Sequence, residues 1–348
     1  MVKDAVSLEQ CGRALVIKLR HHGDVLLAAP VLSVLKARGV EVDALVYDDT
    51  APMLQRHPAL SRLHMVGRKW RNAGFSRLSS ELRLFGDLRG RTYDLIVHLS
   101  EHPRGAWLAR TLGARYSVGP IVEHRGAYWA RSFTHLFPMA PRRHMVEVNL
   151  DALRRIGVQP SFAERKVEFV PGAEARRKVE ALVEPPYIHL HPASRWRFKC
   201  WPAEKNAQLI DALSAEGHKV VITAAPDRDE DLLVQDIVTR AKSKPLNLSG
   251  QLSIEELAAL TAGATLFMGV DSMPMHLAAA MGTPTVALFG PSGEAVWEPW
   301  NVAHRIVRST HSCRPCGLDG CGGGKVSECL TVLSVEAVRA AARELLAK

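Results

Sequence analysis

The chain has 348 residues, 47% of them hydrophobic and 23% charged, a composition that excludes disorder as the main state and suggests two domains of about 150 residues each. Lys and Arg number 45 against 36 Asp and Glu, a net charge of +9, which favours anionic partners: nucleic acid, phosphorylated sugars or an acidic lipid surface. Residues 1–12 hold Lys3, Asp4, Glu9 and Gln10 without an apolar core, and the longest apolar run, 257–289, is broken by Asp271 and His276, so neither a secretory signal nor a membrane-spanning helix is expected.

In chain order, β-branched runs alternate with helical patterns, the signature of parallel sheets built from βαβ units. Residues 13–19 (RALVIKL) read as a buried strand, 24–36 as a helix, 41–46 as a strand and 93–99 (YDLIVHL) as another. A connector rich in Pro and Gly spans 160–186 and sets a boundary near residue 170. Beyond it come strands at 187–191, 219–223, 266–269 and 284–289, with helices at 203–215, 229–240, 254–262 and 274–281. The last segment, 334–348, has Val335, Val338, Ala341, Ala342 and Leu345 at helical spacing, an amphipathic helix that must dock on something. Ligands of open α/β sheets bind beyond the carboxyl ends of the strands, so two such domains are expected to face one another across a cleft, with the chemistry in the loops that follow strands.

Three loops meet that description. Lys18-Leu19-Arg20-His21-His22-Gly23-Asp24 follows the first strand; Asp24 is either a helix cap or a carboxylate placed to act as a general base on an alcohol. His191 to Pro202 carries Ser194, Arg195, Arg197 and Lys199, groups suited to a diphosphate or to a solvated basic surface. Gly269 to His276 places Asp271, Ser272 and Met273 before Pro274, where helix amides favour a phosphate and Asp271 and His276 suit sugar hydroxyls.

Cys313, Cys316, Cys321 and Cys329 form C-x2-C-x4-C-x7-C among glycines. Four thiolates could hold a structural zinc ion, but the x4 and x7 gaps lie outside the usual paired knuckles and favour free thiols. His57, His98, His102, His135 and His144 read as surface histidines without metal-ligand spacing. An arginine-rich stretch that includes Arg104, Arg110 and Arg115 follows the strand at 93–99 and suits a phosphorylated acceptor. Basic residues are dispersed and lack interleaved aromatics, which argues against nucleic acid.

Taken together, KLRHHGDVLLAAPVLSVLK, HPASRWRFKCWP, GVDSMPMHLAAAMGTPTVALFGPS and CRPCGLDGCGGGKVSECL resemble family 9 glycosyltransferases, the bacterial lipopolysaccharide heptosyltransferases, and most of all their type III. The resemblance implies a GT-B fold of two Rossmann-like, doubly wound domains. It gives residues 1–170 an acceptor, 171–333 a nucleotide-sugar and 334–348 a helix crossing back to the first domain. It implies inverting, metal-independent transfer of L-glycero-D-manno-heptose from ADP-heptose to a heptose of the lipopolysaccharide inner core, at the inner face of the bacterial inner membrane, with no cofactor required. Asp24 falls on the base, with Lys18, Arg20, His21 and Arg104 on the acceptor side. Ser194, Arg195, Lys199, Leu252, Asp271, Ser272, Met273 and His276 fall on the donor side. Met273 stands where the family usually has glycine, and Arg20 and His21 replace the small hydroxyl residues of type I. Transfer of type I or II, another ADP-sugar, or a GT-B nucleotide-sugar epimerase are the alternatives.

Overall fold

A computed structural model describes residues 4–68 and 74–347, the side chains of 74–78 excepted; Lys3 and Lys348, at the ends of the sequence reading, lie outside it. The chain divides into two compact units, Met1–Glu168 and Phe169–Lys348. The first holds strands β1 (Arg13–Ile17), β2 (Glu41–Tyr47), β3 (Leu60–Val66), β4 (Leu95–His98), β5 (Tyr116–Pro120) and β6 (His135–Phe137). The second holds β7 (Ile188–His191), β8 (Val220–Ile222), β9 (Leu246–Asn247), β10 (Leu266–Val270), β11 (Thr285–Phe289) and β12 (His304–Arg308). Among the described residues the sheets run β3-β2-β1-β4-β5-β6 and β12-β11-β10-β7-β8-β9, and all the pairs are parallel. Counted from each unit's first strand the order is the same. It reverses between β1 and β4 in one unit and between β7 and β10 in the other, where doubly wound sheets bind ligands.

Central strands are buried because helices cover both faces of a parallel sheet: every residue of β4, β7, β10 and β11 is interior. At the second reversal Gly269 is needed for closeness, since a Cβ there would stand 2.8 Å from the His191 carbonyl oxygen. Local signals set several helix ends. Ser253 and Glu256 form a capping box before Ile254–Gly263, Asp227 accepts amide hydrogen bonds before Arg228–Arg240, and Gly282 ends Met273–Met281 with φ +77°.

Two expectations need correction. The helix expected over 24–36 is two helices, His22–Leu26 and Ala29–Ala37. Pro30 has no N–H to return to Leu26 and its ring crowds that carbonyl, so the first helix stops and the second restarts with Pro30 in its opening turn. The final helix, Val335–Leu346, buries Val338, Ala341, Ala342 and Leu345 in the second unit's core, which includes β7, β8, β10 and β11. Arg339 and Arg343 pair with Glu216, and Arg305 with Glu344, at the ends of that contact. The histidines read as surface groups are also largely interior, with His57, His98, His135 and His144 buried.

The first unit contains a buried charge cluster. Asp43, with 0% exposure, accepts from Arg91 Nε at 2.8 Å, Arg91 Nη2 at 2.9 Å and Tyr93 Oη at 2.9 Å. Burial works against its charge, yet hydrogen bonds from His64, Arg91 and Tyr93 prevail and hold its pKa well below the carboxylate range. A depressed folded-state pKa gives stability that is complete above the unfolded value near about 4 and lost as pH falls through the folded one. D43N is therefore expected to cost about 3–5 kcal/mol at neutral pH. The gap to the unchanged chain should narrow in strong acid, as denaturant unfolding followed by circular dichroism at each pH would show.

Candidate active site

In the first unit, Lys18 leaves the end of β1 with 3% exposure. Its Nζ donates to the Leu99 carbonyl, just past β4, at 2.8 Å and to Asn149 Oδ1 at 2.9 Å. Burial brings its pKa down to about 8, opposed by Asp24 and assisted by Arg20, so the ammonium persists at neutral pH. Asp24 is 8% exposed and sits inside His22–Leu26, whose cap is His21. The carboxylate is thus a residue of the first helical turn, where the helix dipole favours negative charge, and it does not cap. Arg20, exposed, brings Nε to 3.8 Å from Asp24 Oδ1, a solvated pairing of small energy. A buried cation and an open one therefore both act on one carboxylate beside the β1–β4 reversal.

Behind it stands His98 at the end of β4, wholly enclosed and driven by burial to a pKa of about 3. Its Nε2 donates to the His102 carbonyl at 3.1 Å, its ring stacks on Phe133 at 5.9 Å, and a Cβ on Gly105 would fall 2.2 Å from the ring. Neutral and packed, His98 supports the loop that leads to Arg104. Arg104 is committed: its guanidinium grips both carboxylate oxygens of Glu81, Nη2 to Oε1 at 2.6 Å. Its neighbours are engaged locally as well, Arg110 with the Arg131 carbonyl and Arg125 with the Glu101 carbonyl.

In the second unit, the loop after β7 and the loop after β10 meet across the reversal. Lys199 Nζ donates to Asp271 Oδ2 at 2.6 Å, the lysine side chain 22% exposed and the aspartate 6%. Ser194 Oγ accepts from the Trp196 amide at 3.3 Å, which turns the loop so that Arg195 and Trp196 face solvent. Ser272 caps Met273–Met281 from an extended conformation and donates to the Val270 carbonyl at 3.3 Å. Met273 opens the helix half-buried, while His276 is buried one turn on, its ring 6.1 Å from that of Trp297. The structure thus joins Lys199 to Asp271 and puts Ser272 and His276 on the same helix start. Leu252 packs at the edge of a different cluster, with Leu248 and Leu260.

Beneath this loop lies a network that was not singled out from the sequence. Thr223 Oγ1 lies 2.7 Å from His189 Nε2 and 2.8 Å from His191 Nδ1, and Thr261 Oγ1 lies 3.0 Å from His189 Nδ1. Burial keeps both rings neutral, His191 with a pKa of about 4. The alternating His189-Leu190-His191 is its only trace in the sequence. The network ties β7 to its neighbours where the Lys199 loop departs. Asn149 was missed too, since it belongs to no motif. Cys313, Cys316 and Cys321 are exposed free thiols and Cys329 a buried one. Among the described residues no three His, Cys, Asp or Glu side chains form a group that could hold a metal ion.

Residues 81–326 match the family model described as Glycosyltransferase family 9 (heptosyltransferase). The chain belongs to that family. It is therefore a glycosyltransferase, and its two sheets are those of the GT-B fold. This family 9 chain is 37% identical over 290 residues to "Lipopolysaccharide heptosyltransferase 3" of Escherichia coli K12, covering 81% of itself and 83% of that protein. It superposes with a TM-score of 0.84 on a family 9 glycosyltransferase from Veillonella parvula, at 24% identity and with 99% of each chain covered. It superposes with a TM-score of 0.74 on E. coli heptosyltransferase WaaC with ADP-2-deoxy-2-fluoro heptose, at 21% identity, covering 95% of this chain and 99% of that one.

Proposed function

We propose that this family 9 enzyme transfers L-glycero-D-manno-heptose from ADP-heptose to a heptose of the lipopolysaccharide inner core, with inversion and without a catalytic metal ion. The observation that carries the reading is the 37% identity to a lipopolysaccharide heptosyltransferase 3 over four-fifths of the chain. The complex of WaaC with an ADP-heptose analogue supports the donor class.

The first unit binds the acceptor and the second the donor. Asp24 takes the proton of the acceptor hydroxyl, whose oxygen attacks the anomeric carbon while the bond to the β-phosphate oxygen breaks. One displacement inverts that carbon. ADP departs with its growing charge met by Lys199 and by the amide end of Met273–Met281, so the positive charge that a diphosphate needs comes from the protein. Asp271 holds Lys199 in place before the donor arrives, Asp271 and His276 meet sugar hydroxyls, and Ser272 with the amides of the helix start meets phosphate oxygens. Arg20 and His21, exposed beside Asp24, contact the acceptor.

The acceptor is a membrane lipid, which places the enzyme on the cytoplasmic face of the inner membrane. No described helix is long and apolar enough to cross a membrane, and the net +9 charge suits a surface of acidic lipid and core phosphates. Mass spectrometry of a reaction with ADP-heptose and a de-acylated core carrying two heptoses tests the reading. A gain of one heptose is expected. No gain, with the same acceptor extended by a known enzyme, or consumption of ADP-heptose without acceptor, would overturn it.

A further inference from the structure

Lys18 is an ammonium enclosed by protein, and such a group keeps its charge only when its donors are met. Asn149, 2% exposed in the middle of Met145–Arg155, meets one of them with Oδ1 at 2.9 Å. The other end of the same amide donates from Nδ2 to the Leu27 carbonyl, also at 2.9 Å. Leu27 is the C-terminal cap of His22–Leu26, the helix that carries Asp24. Five residues are too few for a helix to hold itself, so its placement depends on tertiary contacts of this kind. A single planar side chain thus joins the buried ammonium, and through it the Leu99 carbonyl after β4, to the end of the short helix.

The task requires one acceptor and one donor a short reach from the backbone. Aspartate accepts without donating, leucine does neither, and glutamine carries an extra methylene. Asparagine is also a poor choice for a helix interior on propensity alone, which leaves the two long-range hydrogen bonds as the reason for it.

We infer that Asn149 is a positioning residue for the transfer reaction: its amide holds Lys18 as a charged neighbour of Asp24 and fixes the helix on which Asp24 stands. The inference rests on the reading of Asp24 as the base. The other charged or titratable groups acting near Lys18 are Asp24, which favours its ammonium, Arg20, which opposes it, and His98, which is neutral.

The test uses the full chain with N149L and N149D, ADP-heptose and the core acceptor, from neutral to alkaline pH. The Lys18 amine is followed by NMR of 13Cε-labelled lysine and identified by its loss in K18M. N149L should lower kcat by roughly tenfold or more, the scale of one lost hydrogen bond to a charged group, with the dissociation constant for ADP-heptose unchanged. Lys18 should titrate lower than in the unchanged chain, and the alkaline limb of kcat should move down with it. N149D, which accepts but cannot donate to Leu27, should move both upward while kcat stays depressed. If N149L does not fold, the opposite shift in N149D still decides. A Lys18 titration and alkaline limb that stay put in the folded variants would overturn the inference. Full turnover by D24A would remove the base reading instead, and the NMR titration would still report whether Asn149 governs Lys18.

Discussion

Replacing Asp24 by alanine or asparagine is expected to cut transfer by about 10²–10⁴-fold, the range for loss of a general base, with ADP-heptose binding held near its original affinity. The split follows from location. Asp24 lies in the first unit after β1, whereas the groups assigned to the donor lie after β7 and β10 in the second. The fold should survive, because Lys18 need not remain as a bare buried cation. Its pKa is already brought down to about 8, and Asp24 is the group opposing that shift; once Asp24 is gone, burial acts without that opposition and moves the amine further toward its neutral form. Turnover by mass spectrometry, donor affinity by calorimetry and melting temperature separate these effects. Loss of donor binding with D24A would assign Asp24 to the nucleotide-sugar instead.

The second large effect belongs to Lys199. K199A is expected to lower kcat/KM by roughly 10²–10³-fold, as removal of one group that meets transition-state charge does, and to weaken ADP-heptose binding as well. Two causes add. The diphosphate loses a cation, and Asp271, otherwise paired at 2.6 Å, is left as an unpaired, nearly buried carboxylate that repels the phosphates. D271N in the K199A background should therefore recover part of the donor affinity without restoring kcat. Isothermal titration with ADP and steady-state kinetics of K199A, D271N and the double variant measure the coupling. Unchanged donor affinity in K199A would remove Lys199 from the diphosphate site.

The α/β alternation and two-part plan were legible because the central strands are short, buried, β-branched runs that alternate with helical patterns. Flanking strands were harder: β3, LSRLHMV, exposes several residues, and β9 is two residues long. The break between His22–Leu26 and Ala29–Ala37 was written in Pro30, but the apolar periodicity running through 24–36 masked it. Amphipathic spacing in the last helix showed a buried stripe without saying which sheet would bury it. In the candidate site, Asp24, Lys199 and Asp271 stood out because each follows a strand. The pairing of Lys199 with Asp271 across 72 positions, the capture of Arg104 by Glu81 and the reach of Asn149 to Lys18 across 131 positions depend on which strands become neighbours, and local pattern carries none of that.

The matching strand order of the two units bears on how such an enzyme diversifies. Each candidate half-site is made of loops that leave the same reversal point, so insertions or exchanges in 18–24 or 99–104 leave the hydrogen-bonded register of the second sheet untouched, and changes in 191–199 or 271–276 spare the first. On the proposed assignment of acceptor to the first unit and donor to the second, the two preferences can then drift as separate traits. The seam between Glu168 and Phe169 is where recombination between relatives would exchange one trait and keep the other.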